Sequence, residues 1–205
     1  MTVIVVANPK GGVGKSTLAT NVAGYLARRG HQVMLGDADI QQSASAWLGM
    51  RPADARPIQS WDASSSDELR PPKGISHVAI DTPGGLHGKQ IKEVLKRADK
   101  LLIPLQPSPF DMLATRAFVD DLQERRRAAG LDIAVVGMRV DQRTLSSENL
   151  RDFCQGLGLP VLGYLRDTQN YVRLAMRGLT LFDVPPGQVA KDLEQWQLIC
   201  DWLEA

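Results

Sequence analysis

Short apolar runs alternate with longer amphipathic ones along the chain. VIVVA (3–7), QVMLGD (32–37), HVAIDT (77–82), KLLIPLQ (100–106) and IAVVGMRV (133–140) are rich in Val, Ile and Leu. Continuous rather than alternating hydrophobicity predicts strands buried on both faces, as in a parallel sheet. Between them lie segments with helical spacing. STLATNVAGYLARRG (16–30) sets Leu18, Val22, Tyr25 and Leu26 on one side and stops at Gly30, a residue suited to the left-handed backbone that ends helices. The same spacing predicts helices near 42–49, 88–98, 110–129, 146–156, 168–177 and 187–204. Repeated strand-then-helix units predict an α/β fold, a doubly wound, mostly parallel sheet with helices on both faces.

The regularity lapses between residues 50 and 74, where four prolines and a serine triplet surround one possible edge strand, PIQSW. This reads as an irregular excursion inside one unit, residues 1–205, rather than as a boundary. Trp47, Trp61, Trp196 and Trp202 read as packing anchors.

Composition narrows the function classes. With 43% hydrophobic and 23% charged residues and a formal net charge of +1, the whole-molecule field supplies little attraction for nucleic acid. DNA binding would need a local basic patch. Cys154 and Cys200 stand apart, outside any CxxC, so zinc and iron–sulfur ligation are not expected and a reduced cytoplasmic chain with two core cysteines is. No apolar stretch approaches the roughly 18 residues of a membrane span, and the first residues lack a secretory pattern. The chain is therefore expected to be neither secreted nor membrane-spanning.

The chemistry concentrates after the first strand, which runs through NPKGGVGKST (8–17) directly into a helix. That context suits a phosphate-binding loop: Gly11, Gly12 and Gly14 let the backbone around Val13 curl its N–H groups inward, and the helix dipole adds to the anion site. In this reading Lys15 pairs with the β and γ phosphates, Ser16 ligates Mg²⁺ and Thr17 reaches the α phosphate. The strict GxxxxGK[ST] spacing fails, because Pro9 stands where its first glycine belongs.

KGGVGKST with its additional Lys10 resembles the deviant phosphate-binding loop of the ParA/MinD superfamily of P-loop ATPases. The resemblance implies ATP and Mg²⁺ as cofactors. It also implies that Lys10, the signature lysine, reaches across a nucleotide-sandwich homodimer to the partner subunit's phosphates, offsetting charge that grows during phosphoryl transfer.

Two further segments extend it. GDADIQQ (36–42) ends the second strand with carboxylates at alternate positions, pointing the same way at the ligand-binding edge. By resemblance Asp39 helps place the attacking water and Asp37 supports the Mg²⁺ shell, although Ile40 replaces the family's usual proline. HVAIDTPGG (77–85) is similar to the Walker B strand and switch loop, with Asp81 holding Mg²⁺ through water and Gly84 and Gly85 freeing the loop to sense the γ phosphate. His87 reads as a surface residue.

LIPLQPSPFDMLAT (102–115) looks like the family's proline-rich strand end, and VGMRVDQRT (136–144) like the segment near adenine. The expected adenine-binding asparagine is missing near Met138 and Arg139, which leaves Arg139, Asp141 or the backbone of 184–188 to meet the base.

Within the superfamily, a MinD-like membrane helix needs flanking basic residues, whereas the tail 189–205 carries one lysine against Asp192, Glu194, Asp201 and Glu204. No stable membrane anchor is therefore expected. Bridging cysteines for an iron–sulfur relative are absent, arsenite-pump relatives usually contain two such halves, and similar small-molecule kinases lack the signature lysine. A short ParA-type ATPase without the N-terminal helix-turn-helix domain is the favoured reading, with a MinD-like membrane-associated positioning ATPase and a P-loop small-molecule kinase left as alternatives. For it the resemblance implies slow ATP hydrolysis, ATP-driven dimerisation, sequence-independent DNA binding, a nucleoid-associated cytoplasmic location and a cargo adaptor of ParB type. Arg143, Arg166, Arg173 and Arg177 are the candidates for DNA phosphates, the last two four residues apart on one helix side; Arg125, Arg126 and Arg127 are weaker ones, since ERRRAAG also suits a helix C-terminus.

Overall fold

A computed structural model describes residues 1–62, 73–85, 91, 95, 96 and 98–205; side chains are not described at 62 and 123–129. Seven strands form one sheet: β1 (Thr2–Val6), β2 (Val33–Asp37), β3 (Gln59–Asp62), β4 (His77–Asp81), β5 (Lys100–Leu105), β6 (Asp132–Gly137) and β7 (Val161–Tyr164). Their order is β3-β2-β4-β1-β5-β6-β7, and every pairing is parallel. The helices are α1 (Lys15–Arg28), α2 (Ser43–Gly49), α3 (Pro109–Ala129), α4 (Leu145–Gln155), α5 (Gln169–Ala175) and α6 (Ala190–Glu204), with short 3₁₀ turns at Leu181–Asp183 and Pro186–Gln188.

The continuous apolar strands are buried on both faces. Ile4 and Val6 join Leu18, Val22 and Leu26 of α1 and Trp196, Ile199 and Leu203 of α6 in one core layer. Val3 and Val5 join Phe118 and Leu122 of α3 and Leu150 and Cys154 of α4 in the other. Two layers account for the absence of a polar face on β1. Truncating a fully buried member such as Ile4→Ala costs about 2–5 kcal/mol. Burial also pushes the Cys154 thiol up to about 11 and, with Asp201 adding to the effect, Cys200 up to about 12, so both cysteines behave as apolar core residues near neutral pH.

The doubly wound fold class is therefore the observed one. Three details differ from the sequence reading. The expected edge strand PIQSW begins two residues later, at Gln59. The final helix starts at Ala190, after the 3₁₀ turn, rather than at 187. Strand β7 was not anticipated: it is four residues long, contains Gly163, and meets β6 across an irregularity between Val135 and Val136. The helix expected near 88–98 lies mostly outside the described residues, as does His87; within that stretch Ile91 and Leu95 are buried.

β1 sits between β4 and β5, so the loop leaving its C-terminal end is flanked by the ends of β4 and β5. Ligands of open parallel sheets bind at this edge.

Candidate functional site

The loop between β1 and α1 is built around positive-φ glycines. Gly14 caps α1 at φ 98° without any side-chain cap, leaving the first helical amides to face an anion. A Cβ on Gly14 would meet the flexible end of Met138, 2.8 Å from its Cε, so it is the left-handed conformation that requires glycine there. Val13 is buried and pins the loop, while Gly11 and Gly12 are exposed.

Lys15 is 7% exposed. Its ammonium donates to the Lys10 carbonyl at 2.7 Å. Burial lowers the Lys15 pKa, and the carboxylates of Asp81 and Asp39 oppose that fall. A cation so placed has much to gain from an anion entering the loop.

Asp81 ends β4 fully buried, and neither carboxylate oxygen has a hydrogen-bond partner among the described residues. Burial pushes its pKa up to about 7; the nearby Ser16 hydroxyl opposes the rise without reaching hydrogen-bonding geometry, Asp37 adds to it, Lys15 opposes it and Asp39 adds to it. A buried carboxylate with unused lone pairs beside a serine hydroxyl fits a Mg²⁺ site completed by phosphate and water. No cluster of three His, Cys, Asp or Glu suited to a metal exists among the described residues.

Asp37 and Asp39 divide differently from their shared strand spacing. Asp37 is buried, and its two oxygens accept from the Asp39 amide at 3.0 Å and the Ser45 amide at 2.9 Å. It therefore fixes the turn that carries Asp39 into α2. Asp39 is half-buried and lines an open cavity of about 850 Å³ with Gly11, Gly12, Gly14, Lys15, Ser16, Thr17, Pro83, Gly84, Gly85 and Arg139. Ile40 lies in the same wall, 97% exposed.

The switch loop touches the phosphate loop backbone to backbone. The Gly85 amide donates to the Pro9 carbonyl at 2.6 Å, and a Cβ on Gly84 would come 3.1 Å from Gly11 Cα. The absence of a side chain at Gly84 permits this approach, and glycine at 85 permits its φ of 79°.

A second cavity of about 580 Å³ continues from Gly14 and Thr17 past Met138 and Arg139 to residues 165–169, with Trp47 and Met50 opposite. Its position beyond the phosphate loop and its mixed apolar and polar walls suit a base and sugar. Arg139, in left-handed backbone at φ 52°, lines both cavities. Asp141 lines neither, nor do residues 184–188; Asp141 instead accepts a bidentate pair from Arg143 at 3.0 and 2.9 Å, and that guanidinium holds its carboxyl down at about 2.

Of the arginines considered for DNA, Arg143 is thus engaged by Asp141. Arg166 is engaged by the fully buried Asp192 at 2.6 and 3.2 Å, which also accepts from Asn170. Arg173 and Arg177 are exposed, Arg173 with a 3.3 Å contact to Asn170 Oδ1, but α5 ends at Ala175, so Arg177 lies in the turn beyond it and does not share a helix side with Arg173 as expected. The side chains of Arg125–Arg127 lie outside the described residues.

Sequence reasoning missed Asn8 and Gln106. Asn8, 1% exposed, accepts from the Lys10 amide at 2.9 Å and donates to Pro104 O at 2.8 Å and Thr115 Oγ1 at 2.9 Å. Gln106 Nε2 donates to the Gly12 carbonyl at 2.8 Å. The only local signal was an asparagine beside the glycine-rich loop.

The family described as the CobQ/CobB/MinD/ParA nucleotide binding domain matches residues 4–181. Similar curated proteins include two named maintenance of carboxysome distribution protein A. The one from Gloeobacter kilaueensis is 32% identical over 87% of this chain and 83% of its own length. The one from Halothiobacillus neapolitanus is 30% identical over 88% and 87%. Among solved structures, the Cyanothece McdA(D38A)–ATP complex has a TM-score of 0.76 at 17% identity, over 97% of this chain and 96% of that one. The Aquifex aeolicus MinC:MinD complex has a TM-score of 0.78 at 19% identity, over 100% and 96%.

Proposed function

The chain belongs to the CobQ/CobB/MinD/ParA nucleotide-binding family, and from that premise we propose that it is a Mg²⁺-dependent ATPase of ParA type. In this reading it forms an ATP-sandwich homodimer, binds DNA without sequence preference and hydrolyses ATP slowly to position a large cargo through an adaptor. The observation that carries the reading is the convergence of buried Lys15 and half-buried Asp39 on one glycine-lined cavity, with Asp81, whose carboxylate has no hydrogen-bond partner among the described residues, buried close to Ser16 and Lys15 of its wall.

Lys15 and the loop amides would hold the phosphates, Ser16 and Asp81 would hold Mg²⁺, and Asp39 would orient the attacking water, with Asp37 setting the turn beneath it. When bound, Mg²⁺ supplies charge neutralisation of the transferring phosphoryl group. The base would enter the second cavity, beside Arg139 and residues 165–169. Lys10 would act on the partner's nucleotide. Arg173 and Arg177, the candidates not held by a carboxylate among the described residues, would bind DNA phosphates.

The names of the two curated relatives support positioning of a large assembly as the kind of task. No described helix is long and apolar enough to cross a membrane. In α6 the buried Trp196, Ile199 and Leu203 face the core and the polar surface is largely acidic, which speaks against attraction to anionic lipid.

The deciding experiment measures retention on nonspecific duplex DNA by the wild type and Asp39→Ala, with ATP, with ADP and without nucleotide, at two salt concentrations. ATP-dependent retention, stronger in Asp39→Ala and lost with salt, is expected. Intact ATP binding with no retention in any state would remove the DNA-based reading.

A further inference from the structure

Residues 8–10 form the bend between β1 and the phosphate loop, and their backbone groups are held from three directions. Pro9 has no N–H, and its carbonyl accepts from Gly85 of the switch loop. The Lys10 carbonyl accepts from Lys15 Nζ. The Lys10 amide donates to Asn8 Oδ1.

Of these holds, only the last comes from a side chain that is itself anchored elsewhere. Both hydrogens of the Asn8 amide are spent, one on Pro104 O at the end of β5 and one on Thr115 Oγ1 in α3. Asn8 and Thr115 are 1% and 0% exposed, so water cannot replace either bond. Asn8 therefore spans three elements: the phosphate loop, β5 and α3.

The arrangement acquires a direction from the Lys15 bond. If Lys15 turns to an incoming phosphate, it releases the Lys10 carbonyl, and Asn8 becomes the remaining side-chain hold on the Lys10 backbone among the described contacts. The other end of that hold is Thr115, on the buried side of a helix whose opening turns expose Phe110 (75%) and Leu113 (70%). A shift of α3 would reach Lys10 through two hydrogen bonds.

We propose that Asn8 is a positioning residue for Lys10, tying that lysine's backbone to α3 through Thr115 and to β5 through Pro104, so that the reach of Lys10 depends on where α3 lies. This rests on the reading of Lys10 as the cation that acts across the dimer. Asn8 touches no reacting atom in it. Its loss should spare nucleotide capture, which belongs to Lys15 and the loop amides, and impair turnover.

The test compares Asn8→Ala, Thr115→Val and the double variant by two readouts. The first is hydrogen exchange of the Lys10 amide in nucleotide-free protein, which does not depend on ATPase activity. It should speed up about tenfold or more in Asn8→Ala and by a smaller factor in Thr115→Val, while the β1 amides stay protected. The second is nucleotide Kd against kcat. Asn8→Ala should keep Kd within about threefold and lose about tenfold or more in kcat, Thr115→Val should follow at smaller amplitude, and the double variant should be no worse than Asn8→Ala alone.

An unchanged Lys10 exchange rate in Asn8→Ala overturns the tie. Released exchange with unchanged kcat, or additive losses in the double variant, overturns the positioning role. If Asn8→Ala does not fold, the near-isosteric Thr115→Val carries both readouts. Lys10→Ala in the same assays separates the two layers: wild-type turnover in that variant would remove the cross-subunit reading, while Lys10 exchange in the Asn8 and Thr115 variants still decides the tie.

Discussion

Two buried lysines, one at each end of the parallel sheet, are partnered in opposite ways. At the N-terminal edge, Lys100 donates to the Trp202 carbonyl at 2.6 Å, lies 4.5 Å over that residue's ring and stands 3.9 Å from Asp132. Nearby, Asp99 accepts from the Val3 amide at 2.7 Å. At the C-terminal edge, Lys15 has a single carbonyl at 2.7 Å, and the Asp81 oxygens have no hydrogen-bond partner among the described residues. Both edges contain ionisable groups on strand or helix ends, so charge alone does not mark the site. What marks it is charge left short of partners, which folding tolerates where a ligand will supply them.

The contrast breaks most visibly at Lys15. Lys15→Ala should weaken nucleotide binding by about 100-fold or more, measured by calorimetry, since the alternative donors are backbone amides.

Asp81→Asn tests the carboxylate side. The native carboxyl stays protonated up to about pH 7, whereas in the unfolded chain it ionises near about pH 4. Between those values the folded state binds more protons, so it loses stability as pH rises. Without nucleotide, Asp81→Asn should therefore be more stable than wild type by about 4 kcal/mol at pH 8, with the gain shrinking toward pH 4. Denaturant melts at both pH values read this directly. The same variant should lose the Mg²⁺-dependent part of nucleotide affinity, which in the wild type should weaken on acidification below about pH 7.

At the opposite edge, Lys100→Met should cost about 1–2 kcal/mol in the same melts and leave nucleotide Kd unchanged. A change in Kd would mean that the two edges are coupled. The smallest effect belongs to His77, whose ring lies 4.1 Å from that of His31. Burial lowers its pKa, His31 lowers it further, Glu204 opposes this and the terminal amino group adds to it. The unfolded state then takes up the proton first, and stability falls as pH drops below the ordinary histidine value. His77→Gln should flatten that slope by less than about 1 kcal/mol between pH 7 and pH 5.

Much of this arrangement was legible because its signals are local. The glycine-rich loop, the carboxylates after β2 and β4, and the double-sided burial of five strands are all contiguous in sequence. What escaped joins distant residues. Asn8 meets Pro104 and Thr115, at separations of 96 and 107 residues. Arg51 pairs with Asp183 across 132 residues, both side chains only 5% exposed, and nothing around either position distinguishes it from a surface charge. The arginine candidates show the same limit: Arg166 looks free in YLRDTQ until α6 brings Asp192 beneath it, whereas the Asp141–Arg143 pair lies two residues apart and could have been foreseen. β7 was missed because four residues with a glycine at an edge carry too little apolar pattern to separate them from a loop.

The central place of β1 also sets the order in which the molecule can be made. Thr2 pairs with His77 and Ile4 with Lys100, so β1 cannot complete its pairing until segments 75 and 96 residues further along the chain have been made. Long-range parallel pairing of this kind is slow, and it leaves apolar strand edges uncovered meanwhile. In the finished fold the loop after β1 is braced from residues 104–115, a support that does not exist until those residues have been made.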